Sequence, residues 1–143
     1  MTFDEVYAYT QHLSVLYVED EEGIRKSTIR LLENYFENID VAEDGREGLE
    51  YYKNSLEKRP YDIVFSDINM PHLNGLEMLK SIRDLKDDQT FVLLSAHHEK
   101  GYSLEADKMG VDYFLLKPIT LDEFSKVLYD SAKYAVNQAK AQD

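Results

Sequence analysis

Tyr61-Asp62-Ile63-Val64-Phe65-Ser66-Asp67-Ile68-Asn69-Met70-Pro71 is a short apolar, β-branched run that breaks off at a carboxylate. A run of this length, bounded by turn formers, reads as a strand buried on both faces. It predicts a strand over Asp62–Ser66, with Asp67 at its tip and pointing into the loop beyond. Three other apolar runs also end on reactive groups. Leu13–Val18 is followed by Glu19 and Asp20, Phe91–Leu94 by Ser95, and Tyr113–Leu116 by Lys117. In an open parallel sheet, ligands bind outside the carboxyl ends of the strands. Acids, a hydroxyl and a lysine gathered there around one carboxylate suit Mg²⁺ and a phosphoryl group.

Working outward, Ile39–Ala42 is a fifth strand candidate, less apolar than the others. Amphipathic stretches separate the strands. Ile24, Thr28, Leu31, Leu32 and Tyr35 fall at helical spacing. Leu49, Tyr52 and Leu56 follow the Asp44-Gly45 turn, and Leu76, Leu79 and Ile82 follow Gly75. A fourth stretch, His98–Met109, has Gly101 near its start and few large apolar residues. A fifth runs from Leu121 through Phe124, Val127, Leu128 and Ala135. Alternating strands and helices predict an α/β fold. Right-handed crossovers make it a doubly wound, five-stranded parallel sheet in the flavodoxin-like order 2-1-3-4-5, with helices on both faces. Residues 1–12 form an N-terminal extension in which Phe3, Val6, Tyr7 and Thr10 fit a short helix. The main domain is expected over residues 13–137, and 138–143 read as a polar tail.

Composition narrows the function. The chain has 143 residues, the length of one domain. It carries 16 Lys and Arg against 28 Asp and Glu, a formal net charge of −12. That balance repels nucleic acid phosphates, and there is no Lys/Arg-rich run to offset it. Direct nucleic acid binding by this chain is therefore not expected. No segment reaches the ~20 apolar residues of a membrane span, and the N-terminus lacks a signal-peptide pattern. With no cysteine, disulfides and thiolate metal sites are excluded. A reduced, cytoplasmic setting is the expectation. Most of the excess acid needs only solubility to explain it.

Five pieces, in order, resemble the receiver domain of two-component response regulators. They are Val15–Glu21, Asp62–Pro71, Gly75-Leu76, Leu93–Ala96 and Gly110–Pro118. The resemblance spans about Leu13 to Ala135, and the strand order given above is the one known for that family. It implies that Asp67 is a phosphoacceptor served by a sensor histidine kinase or a phosphotransfer protein. It implies that Asp20, with Glu19 as a direct or water-mediated ligand, holds Mg²⁺ together with Asp67 and the backbone carbonyl of Asn69. Ser95 and Lys117 would contact phosphoryl oxygens, and Phe114 would be the switching aromatic. The surface of the fourth helix, fifth strand and fifth helix would then change. Homodimerisation through that surface is common in the family. By the same resemblance, Asn69 and His97 flank the path of the hydrolytic water. Ser95 stands where Thr is commoner and Phe114 where Tyr is commoner.

Singly, these residues have plainer readings. An acid after a strand is usually a cap or turn residue, and Phe114 alone is a core aromatic. By the same resemblance the chain is expected to be a phosphoacceptor signalling domain and not an enzyme, catalysing only its own phosphorylation and dephosphorylation. A Mg²⁺-dependent phosphatase with an aspartyl nucleophile is the alternative. It would want an acid two residues after Asp67, where Asn69 stands. A flavin binder would have to place a phosphate against Glu19-Asp20-Glu21-Glu22, and like charges oppose that.

Overall fold

Strands β1 (Ser14–Val18), β2 (Asn38–Ala42), β3 (Ile63–Asp67), β4 (Thr90–Ala96) and β5 (Tyr113–Lys117) pair in parallel in the order β2-β1-β3-β4-β5. The computed structural model describes residues 2–96, 113–117 and 121–142, without the side chains of residues 95, 96, 116, 117, 121 and 138–142. The predicted sheet and its strand order are both present. β1 and β3 are buried at every position, as interior strands of a covered parallel sheet should be. β2 is an edge strand, and its mixed burial matches its less apolar sequence.

β3 begins and ends one residue later than the sequence predicts. The Asp62 carboxylate accepts a hydrogen bond from the Ser14 N–H at 2.8 Å, which holds Asp62 as the lead-in to the strand. At the other end Asp67 is the last strand residue and lies in register with Leu94. β4 likewise extends through Ala96, and β5 through Lys117.

Side chains alternate across the sheet, and the two resulting cores are distinct. Val15, Tyr17, Ile63, Phe65, Val92, Leu94 and Leu115 share one core with helix α5 (Leu121–Gln142) and with Leu32 of α2 (Glu22–Leu32). Leu16, Val18, Val64, Phe91 and Leu93 share the other with α3 (Gly45–Ser55) and α4 (Gly75–Leu85). Tyr35, given to the first predicted helix by its spacing, falls after α2 ends and is buried in the turn that follows. The helix predicted over residues 98–109 lies outside the described residues. The last helix runs on through 142, including residues set apart above as a polar tail.

The N-terminal extension contains α1 (Phe3–Thr10), capped by the Thr2 side chain accepting from the Glu5 N–H. Val6 enters the first core at 2% exposure, and Tyr9 packs edge-on against Tyr129 of α5. Phe3 meets Tyr35, which in turn meets Phe124. An aromatic chain thus joins α1, the end of α2 and α5.

Three tyrosines lie deep in this packing. The phenols of Tyr17, Tyr52 and Tyr61 are all pushed well above the ordinary value, chiefly by burial. For Tyr61 the next cause is its 2.6 Å hydrogen bond to Asp40, which favours the protonated form. The linkage sign follows. These groups keep their protons in the folded chain and lose them near pH 10 in the unfolded one. Their contribution to stability is therefore fully present below about pH 10 and is lost as the pH rises above it. In an alkaline absorbance titration of the 11 tyrosines, Tyr17, Tyr52 and Tyr61 are expected to ionise only together with loss of the fold. Complete ionisation with the circular dichroism of the fold intact would contradict their burial.

Candidate functional site

The register places the ends of β1, β3, β4 and β5 along one edge of the sheet. Glu19 follows β1 and is fully buried, with its N–H bound to the Ala42 carbonyl at 3.1 Å. Asp20 is exposed. Asp67, ending β3, is 9% exposed. One carboxylate oxygen from each of these three residues lies within 4.8 Å of the others. Three acids this close repel one another unless a cation or a hydrogen-bond donor sits among them. An all-oxygen donor set favours a hard divalent cation. The donor set thus fits Mg²⁺, with Glu19, Asp20 and Asp67 as the residues that would hold it.

Asp67 is oriented from its own backbone. Its Oδ1 accepts from the Ile68 N–H at 2.9 Å, and its carbonyl accepts from the Ser66 hydroxyl at 2.8 Å. Beyond it, the loop turns sharply. His72 has φ 69° and the Leu73 N–H donates to the Pro71 carbonyl at 2.8 Å, a three-residue turn about His72. The loop ends in a capping box: Asn74 accepts from the Glu77 N–H, and the Glu77 carboxylate accepts from the Asn74 N–H. Asn69, Met70, Pro71, His72, Asn74 and Glu77 line a cleft with Asp20. Asn69 and Asp20 are thereby brought to one opening beside the acidic cluster.

The loop is held against two glycines. A Cβ on Gly75 would lie 2.2 Å from the Asp67 carbonyl oxygen. One on Gly45 would lie 1.9 Å from the Leu73 carbonyl oxygen. Only a residue without a side chain lets the backbones approach this closely. Sequence reasoning finds both glycines as helix starts but not as supports of the site. It misses Arg25 altogether. That guanidinium donates to the Glu19 carbonyl at 3.1 Å and the Asp20 carbonyl at 3.4 Å. It also misses Tyr17, whose phenol lies in the field of Glu19 and Asp67, and their charges add to the effect of its burial.

Of the remaining predicted residues, Ser95 lies in β4 opposite Leu116, and Lys117 ends β5 opposite Ala96. Their side chains are outside the described residues, as is all of His97. Phe114 is half-buried and packs against the second core, the one shared with α3 and α4. Its neighbour Tyr113 packs on the first.

Doubly wound parallel sheets form a class of α/β domains that bind their ligands outside the carboxyl ends of the strands, and the three acids converge at that edge. The comparisons narrow that class. Residues 15–129 match the response regulator receiver domain, so the chain belongs to that family. It is 32% identical over 111 residues to the transcriptional regulatory protein DltR of Streptococcus agalactiae, covering 78% of this chain and 48% of that protein. It is 33% identical over 109 residues to the response regulator MprA of Mycolicibacterium vanbaalenii, covering 76% and 46%. The chain thus spans about half the length of these curated relatives. Among solved structures, the N-terminal domain of an uncharacterised Wolinella succinogenes protein superposes with a TM-score of 0.78 at 32% identity. That match covers 90% of this chain and 99% of that one. A response regulator receiver domain protein from Clostridium thermocellum gives 0.79 at 25% identity, covering 92% and 100%. This is a receiver domain of the two-component signalling family. No described helix is long and apolar enough to cross a membrane.

Proposed function

We propose that Asp67 is the phosphoacceptor of this receiver domain and takes its phosphoryl group from a phosphohistidine on a sensor kinase or phosphotransfer protein. The observation that carries this is the convergence of Glu19, Asp20 and Asp67 within 4.8 Å at the open edge of the sheet. In the transfer, a carboxylate oxygen of Asp67 forms the new P–O bond as the P–N bond of the phosphohistidine breaks. The imidazole leaves and takes its proton from solvent. No general base is required, because the carboxylate is already an anionic nucleophile at neutral pH. Bound Mg²⁺ would neutralise charge on the phosphoryl oxygens. Glu19, Asp20, Asp67 and the Asn69 carbonyl would hold the ion. By the family resemblance, the Ser95 hydroxyl and the Lys117 ammonium would donate to those oxygens.

The phosphorylated state would act by shifting the population between two packings. Ser95 would move toward the phosphoryl group, and Phe114 would follow. Phe114 carries no polar group to strand in an apolar site, and it is half-buried against the second core. By the family resemblance, the changed surface would include β5 and α5 and would engage a partner or a second copy of the chain.

The test uses beryllofluoride, which mimics the phosphoryl group on a carboxylate. A ligand that binds only the folded chain stabilises it by mass action, by about 2.7 kcal/mol at a hundredfold excess over Kd. Mg²⁺ and beryllofluoride together are expected to raise the thermal midpoint by several degrees, and more than either alone. Sedimentation of the same samples reads any association. An unchanged midpoint at saturating concentrations of both would contradict the proposed site.

A further inference from the structure

Arg25 sits near the start of α2, and only 14% of its side chain is exposed. Its Nη1 donates to the backbone carbonyls of Glu19 and Asp20, at 3.1 and 3.4 Å. Its Nη2 lies 3.5 Å from a carboxylate oxygen of Glu43, one residue past the end of β2. Glu19 is also tied to β2 through its N–H on the Ala42 carbonyl. One guanidinium therefore joins the end of β1, the start of α2 and the residue after β2. The two carbonyls it grips belong to two of the three acids in the cluster.

We infer that Arg25 is a positioning residue for the cation site: its guanidinium ties the Glu19–Asp20 backbone, through Nη1, to Glu43 after β2, through Nη2, so that the two carboxylates converge on Asp67. The inference rests on the proposed reading of the cluster as a divalent-cation site. The fork geometry matters because Nη1 holds the two carbonyls while Nη2, rigidly coplanar with it, faces Glu43; a single ammonium nitrogen has no second nitrogen at that fixed spacing. The side chain is nearly buried, so its hydrogen bonds are little exposed to competing water. Groups that orient metal ligands without touching the metal commonly change affinity by about 10–100-fold when removed.

The sign of the effect separates positioning from charge. A fixed positive charge beside a cation site is repulsive, so an arginine acting by charge alone would weaken cation binding. Removing it would then tighten binding. An arginine that orders the ligands gives the opposite result.

The experiment measures Mn²⁺ binding by electron paramagnetic resonance in the wild-type chain, Arg25→Met, Arg25→Lys and Asp20→Asn. Amide hydrogen exchange is followed at Glu21, whose N–H donates to a Glu19 carboxylate oxygen at 3.4 Å. Arg25→Met is expected to weaken Mn²⁺ binding about tenfold or more and to speed exchange at Glu21 in the metal-free chain. Arg25→Lys retains the charge without the fork and is expected to recover only part of the affinity. Equal or tighter binding by Arg25→Met would overturn the inference, as would full recovery by Arg25→Lys. Asp20→Asn separates the two levels of the argument. If the wild type binds no Mn²⁺, or Asp20→Asn binds as well as wild type, the cation reading fails and the inference falls with it. If Asp20→Asn loses binding and Arg25→Met does not, the cation reading stands and the role of Arg25 is refuted.

Discussion

Asp67→Asn is expected to bring phosphoryl incorporation from acetyl phosphate and Mg²⁺ down to background while leaving the fold intact. The two side chains are nearly isosteric. The amide oxygen of Asn can still accept from the Ile68 N–H, which Asp67 Oδ1 now does at 2.9 Å. The change removes the anionic oxygen that would attack phosphorus in the proposed transfer, and an amide is not a competent nucleophile there. It also removes one of the three carboxylates that define the cluster, so Mg²⁺ binding should weaken in parallel. The check is radiolabel incorporation, with circular dichroism as the control for folding. Incorporation near the wild-type level would remove Asp67 from the role assigned to it.

Gly75→Ala is expected to cost about 3 kcal/mol of stability, at the upper end of the usual range for overpacking. Its direction is not what helix propensity alone would give. Ala in place of Gly inside a helix ordinarily stabilises by up to about 1 kcal/mol. Here the added methyl would sit 2.2 Å from the Asp67 carbonyl oxygen and 3.0 Å from the Ile68 Cα. Both are backbone atoms at a strand end, and neither can move without disturbing β3. The Gly75 N–H also donates to the Ile68 carbonyl at 2.8 Å, which holds the two segments together. Relief of the clash must therefore displace the end of β3 or the start of α4. Urea unfolding should show a lower midpoint with an unchanged slope. Gly45→Ala, pressing on the Leu73 carbonyl from the other side of the loop, should behave alike. A midpoint at or above that of wild type would show that the loop yields freely and does not hold Asp67 in place.

The sheet was legible because its interior strands are nearly continuous apolar runs. Leu16, Val64 and Leu93 bury one face and Tyr17, Phe65 and Leu94 the other, so the runs are apolar throughout, and their shortness and their β-branched and aromatic residues mark them as strands rather than buried helix. Strand ends were less so. Asp62 and Asp67 look equivalent as acids flanking one run, and only tertiary contacts distinguish them. Asp62 is drawn to the Ser14 N–H, whereas Asp67 pairs in register with β4. Helix ends failed for the same reason. Tyr35 keeps the helical spacing but is buried by its contacts with Phe3 and Phe124, from α1 and α5, after the helix has stopped.

At the site, the acids were legible from position alone, because each ends an apolar run. Their supports were not. Arg25 acts through backbone carbonyls, and a sequence shows side-chain types rather than where main-chain oxygens point. Gly45 and Gly75 announce turns, but the carbonyls they admit belong to a loop far along the chain or across it. The capping box at Asn74 and Glu77 could have been read from its three-residue spacing. It anchors the far end of the loop that Asp67 begins.

The most direct test is to locate the modified atom. The chain is incubated with acetyl phosphate and Mg²⁺, then treated with borohydride, which reduces an acyl phosphate to an alcohol with release of phosphate. Peptide mapping follows. Reduction confined to the side chain of Asp67, and lost when Mg²⁺ is chelated, is the predicted result. A chain that incorporates phosphoryl groups with residue 67 unreduced, or that is reduced at another acid, would contradict the assignment of Asp67 as the phosphoacceptor.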